Sequence, residues 1–211
     1  IQDIFLSPTI SQQKNLKELK QYYETEHVVT KGVLDRLVRY RQICADPGLL
    51  DLPGDSAKVL WLKQFISDYP DTPLIVFSNF TTLLKRLLFI MPEQCGLLVG
   101  GMPKSAFKLV EDQFQKGNIQ YVLANIEAAK EGLTLDRAEV IVFMDRYPPV
   151  GDIVQAEDRF VATTEARKTK PHVIYNLVLK DTYDEQIHKQ IKLNLTTVDA
   201  VNNFKKYLFE S

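Results

Sequence analysis

The segment Gln155-Ala156-Glu157-Asp158-Arg159 puts a glutamine and an arginine on one helical face, with Ala162 one turn further on, because positions i, i+4 and i+7 lie above one another. It follows a glycine-containing segment, Glu131-Gly132-Leu133-Thr134-Leu135, and an apolar run, Val140-Ile141-Val142-Phe143. An arginine in that position can reach a phosphate held by a neighbouring body. Two readings stand side by side: a guanidinium acting in trans on a nucleotide, and a surface helix arginine paired with Glu157 or Asp158. The chain has no G-x-x-x-x-G-K-[ST] loop and no Asp-Glu pair after a strand to hold magnesium, so it cannot cradle a triphosphate by itself. On the first reading Arg159 acts on a nucleotide bound by another domain, where such fingers contribute roughly 10³ to 10⁵ in rate.

Further polar residues recur after each apolar run. They read Ser78-Asn79-Phe80-Thr81-Thr82, then Gly100-Gly101-Met102-Pro103-Lys104-Ser105, then 125–132, then Asp145-Arg146-Tyr147. In an open parallel sheet these loops share the carboxyl edge, where ligands collect. Ser78 and Thr81 precede a helix, so each is a candidate helix cap, and Gly100-Gly101 a candidate tight turn. Hydroxyls and exposed amides at successive helix N-termini also form a row of phosphate contacts able to track a nucleic-acid backbone without reading bases, and Lys104 adds a positive charge to it.

The elements that must position these residues alternate. Helical patterns run over 11–26, with Leu16, Leu19 and Tyr23 in register, and over 30–44, with a stripe of Leu34, Leu37, Val38 and Arg41. Asp46-Pro47-Gly48 stops the second helix, and Leu52-Pro53-Gly54-Asp55 reads as a hinge with Ser56 capping the next helix. From there Leu74–Phe77, Gly96–Val99, Tyr121–Ala124, Val140–Phe143 and Val173–Val178 read as five apolar strands separated by helices. This predicts an α/β fold, a doubly wound parallel sheet with helices on both faces. The predicted organisation is a helical prefix over 1–52 packed on the core, a main domain over 53–180 and a helical extension over 181–211. Arg41 ends an apolar stripe and therefore needs an acidic partner. Ile1 opens the chain without an initiator methionine, directly upon the extended Asp3-Ile4-Phe5-Leu6, and reads as the start of an excised fragment.

Composition excludes several classes. With 45% hydrophobic and 25% charged residues in 211, the chain is an ordinary globular protein, and its net charge of −1 argues against a strongly basic nucleic-acid module while neither supporting nor excluding DNA. Cys44 and Cys95 lie in apolar segments without metal spacing and read as buried thiols, and His27, His172 and His188 complete no metal site. No run reaches the roughly 18 apolar residues of a membrane span, and a cytoplasmic location is expected.

The segments VLDRLVRYRQICADPGLL (33–50), PLIVFSNFTTLL (73–84), LVGGMPKSAFKLVEDQF (98–114), EAAKEGLTL (127–135) and Gln155–Arg159 occur in an order that resembles SWI/SNF-type superfamily-two helicases over nearly the whole chain. The short QAEDRF form is most similar to small phage and bacterial members. The resemblance implies the second, C-terminal RecA-like domain, of P-loop NTPase type, of an ATP-driven motor on double-stranded DNA. ATP and magnesium are then bound mainly by the N-terminal RecA-like domain of the same polypeptide. Ser78, Asn79 and Thr81 fall in the motif that touches the DNA backbone and Gly100 and Gly101 in the next backbone-contacting turn. Glu131, Gly132 and Thr134 lie in the loop coupling DNA to nucleotide, and Gln155 and Arg159 face the ATP cleft.

Three positions depart from the family pattern. Ala162 stands where a second arginine is expected, and Arg167 is the candidate to replace it. Ala129-Lys130 replaces a glycine pair, so Lys130 either reaches a DNA phosphate or is solvated. Thr134 replaces an asparagine and loses a hydrogen-bonding group. An alternative of a different class is a non-catalytic nucleic-acid-binding or interaction module that keeps the fold. A small-molecule α/β enzyme would need a catalytic dyad in the same loops, and the sequence offers none.

Overall fold

The computed structural model describes residues 1–25, 33–125, 135–146, 173–193, 203, 204, 206 and 207. Leu74–Ser78 (β2), Tyr121–Asn125 (β4) and Val140–Phe143 (β5) are buried along their whole length. Such runs form where neighbouring strands and layers cover both sides of a strand, and here β2 pairs in parallel with β4 on one side and β5 on the other. Cys95–Leu98 (β3) pairs with β4 at one edge, and its burial alternates with period two. Val173–Leu179 (β6) pairs with β5. The sheet is all parallel, with strand order β1-β6-β5-β2-β4-β3, where β1 is Gln2–Leu6.

Gln2–Leu6 (β1) makes this a six-stranded sheet where the sequence predicts five. Its partner β6 lies at the other end of the chain, so no local pattern announces it. Within this pair Asn176 donates to the Asp3 carboxylate at 3.0 Å, which gives a buried amide on β6 an acceptor.

Helices Thr81–Ile90 (α4) and Lys104–Gln115 (α5) connect β2 to β3 and β3 to β4. Alternate strand residues Ile75, Phe77, Val122, Ala124, Ile141, Phe143 and Ile174 join Phe107 and Phe114 of α5 in one core cluster, with the Phe77 and Phe143 rings stacked at 5.2 Å. Gly96 permits that packing: a Cβ there would lie 2.6 Å from Val110 Cγ1.

Among the described residues the chain divides into two compact units. The first comprises 1–4, 62–125, 135–146 and 173–177, and the second 5–25, 33–61 and 178 onward. The second contains Ile10–Thr25 (α1), Val33–Ala45 (α2), the start of Ala57–Asp68 (α3) and Tyr183–Lys192 (α6). Helix α2 ends one residue before Asp46, whose carboxylate accepts from Gly48 N at 2.9 Å, and Ser56 caps α3 through Val59 N at 3.3 Å. The predicted stripe on α2 is corrected. Leu34 and Val38 are exposed, and the buried face is Arg36, Leu37, Tyr40, Ile43 and Cys44. Aromatic bulk decides this. Tyr40 packs against Phe204 at 5.3 Å, and Arg36 lies 4.7 Å over the Tyr23 ring, so a cation–π contact replaces an aliphatic neighbour. Arg41 is half-buried on this helix.

In the same unit Lys58, at the start of α3, is fully buried and pairs with Asp184 of α6 at 2.7 Å. Asp184 also accepts from Leu179 N at 2.8 Å, and Thr182 caps α6 by accepting from Asp184 N at 3.1 Å. Nearby Cys44 is a free thiol pushed up to about 12 by burial and then by the Asp184 charge. Cys95 is likewise free and raised to about 12 by burial. No described helix is long and apolar enough to cross a membrane.

Candidate nucleic-acid interface

The chain leaves β2 toward β3 on one side of the sheet and later crosses back beside β2 to build β5. The carboxyl ends of β5, β2 and β4 therefore form the topological switch point, the crevice where open α/β sheets bind ligands. Ser78, Asn125 and Asp145 meet there. Ser78 and Asn125 are paired residues at the ends of β2 and β4, and Asp145 lies two residues past the last residue of β5.

All three are buried, so each needs partners. The Ser78 hydroxyl donates to Asp145 Oδ2 and accepts from Phe80 N at 3.0 Å. Asn79 donates its side-chain amide to Asp145 Oδ1 at 2.8 Å and its backbone N–H to both carboxylate oxygens at 3.2 Å. Asn125 donates to Asn79 O at 3.1 Å and to Thr81 Oγ1 at 3.5 Å. One carboxylate thus fixes a three-residue turn, and one amide ties that turn to the neighbouring strand. The negative charge lies at the N-terminus of α4, where the helix dipole favours it.

Two expectations for this turn are corrected. Neither Ser78 nor Thr81 caps α4, because the cap position is Phe80, which makes no side-chain cap bond. Ser78 also does not present its hydroxyl outward as a phosphate ligand, since its side chain is fully buried and committed to Asp145 and Phe80. Asn79 and Thr81 are half-buried and remain at the rim.

The second turn lies at Gly100-Gly101. Gly100 and Gly101 are exposed, and Gly101 has φ +81, a left-handed conformation that disfavours any side chain. Lys104 is exposed at the first position of α5, whose cap residue Pro103 makes no side-chain bond. One turn on, Lys108 is engaged by Asp112 at 3.4 Å and Glu111 at 3.7 Å, and the Asp112 hydrogen bond holds its ammonium above the usual lysine range. Of these two lysines, Lys104 is therefore the better placed to meet an external anion.

Lys130, Glu131, Gly132, Thr134, Gln155, Arg159 and Arg167 lie outside the described residues. Asn125 and Asp145 lie in the loops that the sequence marks after the strands, but no role is legible for them there. The available signal was a polar residue closing each of three adjacent apolar runs, a position where burial forces polar groups to find one another. Among the described residues no cluster of His, Cys, Asp and Glu is placed to hold a metal. Asp145 does not fit a magnesium ligand either, because hydrogen bonds from Ser78 and Asn79 fall on both of its oxygens.

The helicase conserved C-terminal domain matches residues 57–161. The chain carries a helicase C-terminal domain and is similar to SWI/SNF-type helicases. The ATP-dependent helicase fft1 of Schizosaccharomyces pombe is 28% identical over 148 residues, covering 67% of this chain and 15% of its own length. A Caenorhabditis elegans homologue of the SWI/SNF-related matrix-associated actin-dependent regulator of chromatin subfamily A-like protein 1 is 31% identical over 127 residues, covering 52% and 18%. This helicase domain thus spans less than a fifth of the length of these relatives. In fold it is similar to the C-terminal part of the Fun30 ATPase domain, with TM-score 0.78 at 16% identity over 98% of this chain and 95% of that one. It is also similar to the Sulfolobus solfataricus SWI2/SNF2 ATPase core solved with double-stranded DNA, with TM-score 0.73 at 18% identity over 91% of this chain and 43% of that one. The fold is that of the RecA-like C-terminal domain of SWI2/SNF2 ATPases.

Proposed function

We propose that the helicase domain is the second lobe of a DNA-dependent ATPase translocase, presenting a backbone-tracking edge to double-stranded DNA and supplying Arg159 to a nucleotide held by an N-terminal RecA-like lobe. The observation that carries this reading is the arrangement of the carboxyl edge. The rim residues Asn79 and Thr81, the exposed Gly100-Gly101 turn and Lys104 at the start of α5 follow adjacent or nearby strands of one rigid sheet. The amides of Thr81 and Thr82 at the start of α4 and of Lys104 and Ser105 at the start of α5 have no acceptors within their own helices, so they suit phosphate oxygens. Such contacts fix register on a duplex without reading its sequence.

ATP with magnesium, bound mainly by the other lobe, supplies the phosphoryl-transfer chemistry. Gln155 and Arg159 orient toward that cleft on this reading, and Arg159 neutralises charge that develops during transfer. Arg167 substitutes for the arginine that Ala162 lacks. Glu131, Gly132 and Thr134 belong to the loop that couples the DNA edge to the nucleotide, with Lys130 on a DNA phosphate. The domain alone has no turnover. A second reading, a non-catalytic nucleic-acid-binding module, is favoured by Ala162.

ATPase of the full-length protein with and without duplex DNA tests the proposal. Duplex is expected to stimulate turnover, and Arg159→Ala to lower it by roughly 10³ to 10⁵ while DNA binding persists. Turnover by the isolated domain that vanishes on Arg159→Ala contradicts the two-lobe site. Duplex binding by a parent protein without ATPase favours the module.

A further inference from the structure

We propose that Asp145 is a positioning residue for duplex binding: its buried carboxylate sets the geometry of the Ser78–Thr81 turn and, through Asn79, aligns that turn with Asn125, the residue immediately before 126–134. This deepens the proposed function and rests on it.

The argument starts from helix α4. Its cap residue is Phe80, which offers no oxygen, so the local device that normally seals a helix N-terminus is missing. A serine or aspartate at that position would bond the amide of the second or third helical residue and occupy it. Here the ordering group comes from β5 instead, and it acts one step earlier in the chain. Asp145 binds Ser78 and Asn79, and Ser78 in turn binds the Phe80 amide. The turn is fixed to both strands that flank β2, by Asp145 after β5 and by Asn125 at the end of β4. A clamp placed there orders residues 78–80 and leaves the amides of half-buried Thr81 and exposed Thr82 to an external acceptor. The carboxylate matters by geometry: both oxygens accept from one short turn, which fixes its orientation as a single hydrogen bond could not.

Asp145→Asn keeps the volume and one acceptor but turns the other oxygen into a donor facing the donors of Ser78 and Asn79. In the full-length protein the duplex concentration giving half-maximal ATPase stimulation is expected to rise about tenfold or more, the scale of one lost charge-assisted hydrogen bond. The rate at saturating duplex is expected to fall much less. Ser78→Ala is expected to act in the same direction, Ser78→Thr to restore the wild-type constant, and the Asp145→Asn, Ser78→Ala double variant to be no worse than Asp145→Asn alone. A merely stabilising role lowers the melting temperature and leaves the half-saturating concentration unmoved, and that result overturns the inference. Should Asp145→Asn fail to fold, the Ser78→Ala and Ser78→Thr pair decides by the same constant. Hydrogen exchange at the Asn79 and Phe80 amides reads the clamp directly, and unchanged protection in Asp145→Asn also overturns the inference. A wild-type protein that duplex does not stimulate refutes the proposed function instead. The positioning role is then read from duplex binding alone, by anisotropy of a labelled duplex with the same variants, where an unchanged dissociation constant overturns it.

Discussion

Replacing Lys58 by methionine removes the fully buried half of a buried ion pair while nearly preserving volume. At 2.7 Å the gross attraction between Lys58 and Asp184 is about 6 kcal/mol at an effective dielectric constant near 20. Desolvating two ions costs several kcal/mol each, so the intact pair contributes little net stability. Its deletion is another matter. The Asp184 carboxylate keeps the Leu179 amide at 2.8 Å but loses its cation, and stranding a buried charge costs about 3–5 kcal/mol. At about 2–4 °C per kcal/mol for a chain of this size, the melting temperature falls by about 6–20 °C. Urea unfolding monitored by circular dichroism gives the same quantity from the midpoint. Adding Asp184→Asn, which retains an acceptor for Leu179, removes the stranded charge and is expected to recover most of the loss. A cost near the 0–1 kcal/mol of surface pairs, or a double variant no better than Lys58→Met alone, refutes the reasoning.

Gly101→Ala meets no atom within 4 Å, so its cost is confined to backbone strain at φ +81, about 1–2 kcal/mol by urea midpoint. Gly96→Ala costs about 1–3 kcal/mol for a different reason, because its Cβ drives into both Val110 and Ile119, and only shortening both, as Val110→Ala with Ile119→Val, is expected to relieve it. The Cys44 thiol, raised by burial to about 12 against roughly 8.5 for a free cysteine, stays protonated in the folded state while the unfolded chain ionises. Its contribution to stability is therefore complete below about pH 8.5 and is lost as the pH rises toward about 12. Thiol titration is expected to label Cys44 at neutral pH only after urea unfolding, and rapid labelling of the native protein contradicts its burial.

The sheet was legible because its central strands are covered on both faces, which writes uninterrupted apolar runs such as Leu74–Phe77 and Val140–Phe143 into the sequence. The edge strand β1 was not, since Gln2–Leu6 pairs with residues at the far end of the chain and only that pairing makes it a strand. The buried face of α2 was misread for a physical reason. Periodicity counts aliphatic residues, whereas the face is carried by Tyr40 and by Arg36 over Tyr23. At the candidate interface the loops were found by their place after each strand, and the roles within them were not. Whether a serine at a strand end faces outward or into a carboxylate depends on a residue 67 positions away, which no local pattern encodes.

That separation explains why three polar residues close three adjacent strands. Ser78, Asn125 and Asp145 interrupt a core where an apolar residue would cost nothing in desolvation, and they are tolerable only because Asp145 accepts from Ser78 and Asn79 while Asn125 donates to Asn79 O and Thr81 Oγ1. Stability alone does not require such a cluster, since well-packed apolar replacements of buried polar groups are often neutral. Orientation does require it. Hydrocarbon packing leaves a turn free to choose among near-equivalent arrangements, whereas a carboxylate with directed lone pairs accepts only one placement of Ser78 and Asn79. A surface that must meet phosphates at fixed spacing needs that restriction, and the switch point is where three strand ends lie close enough to impose it.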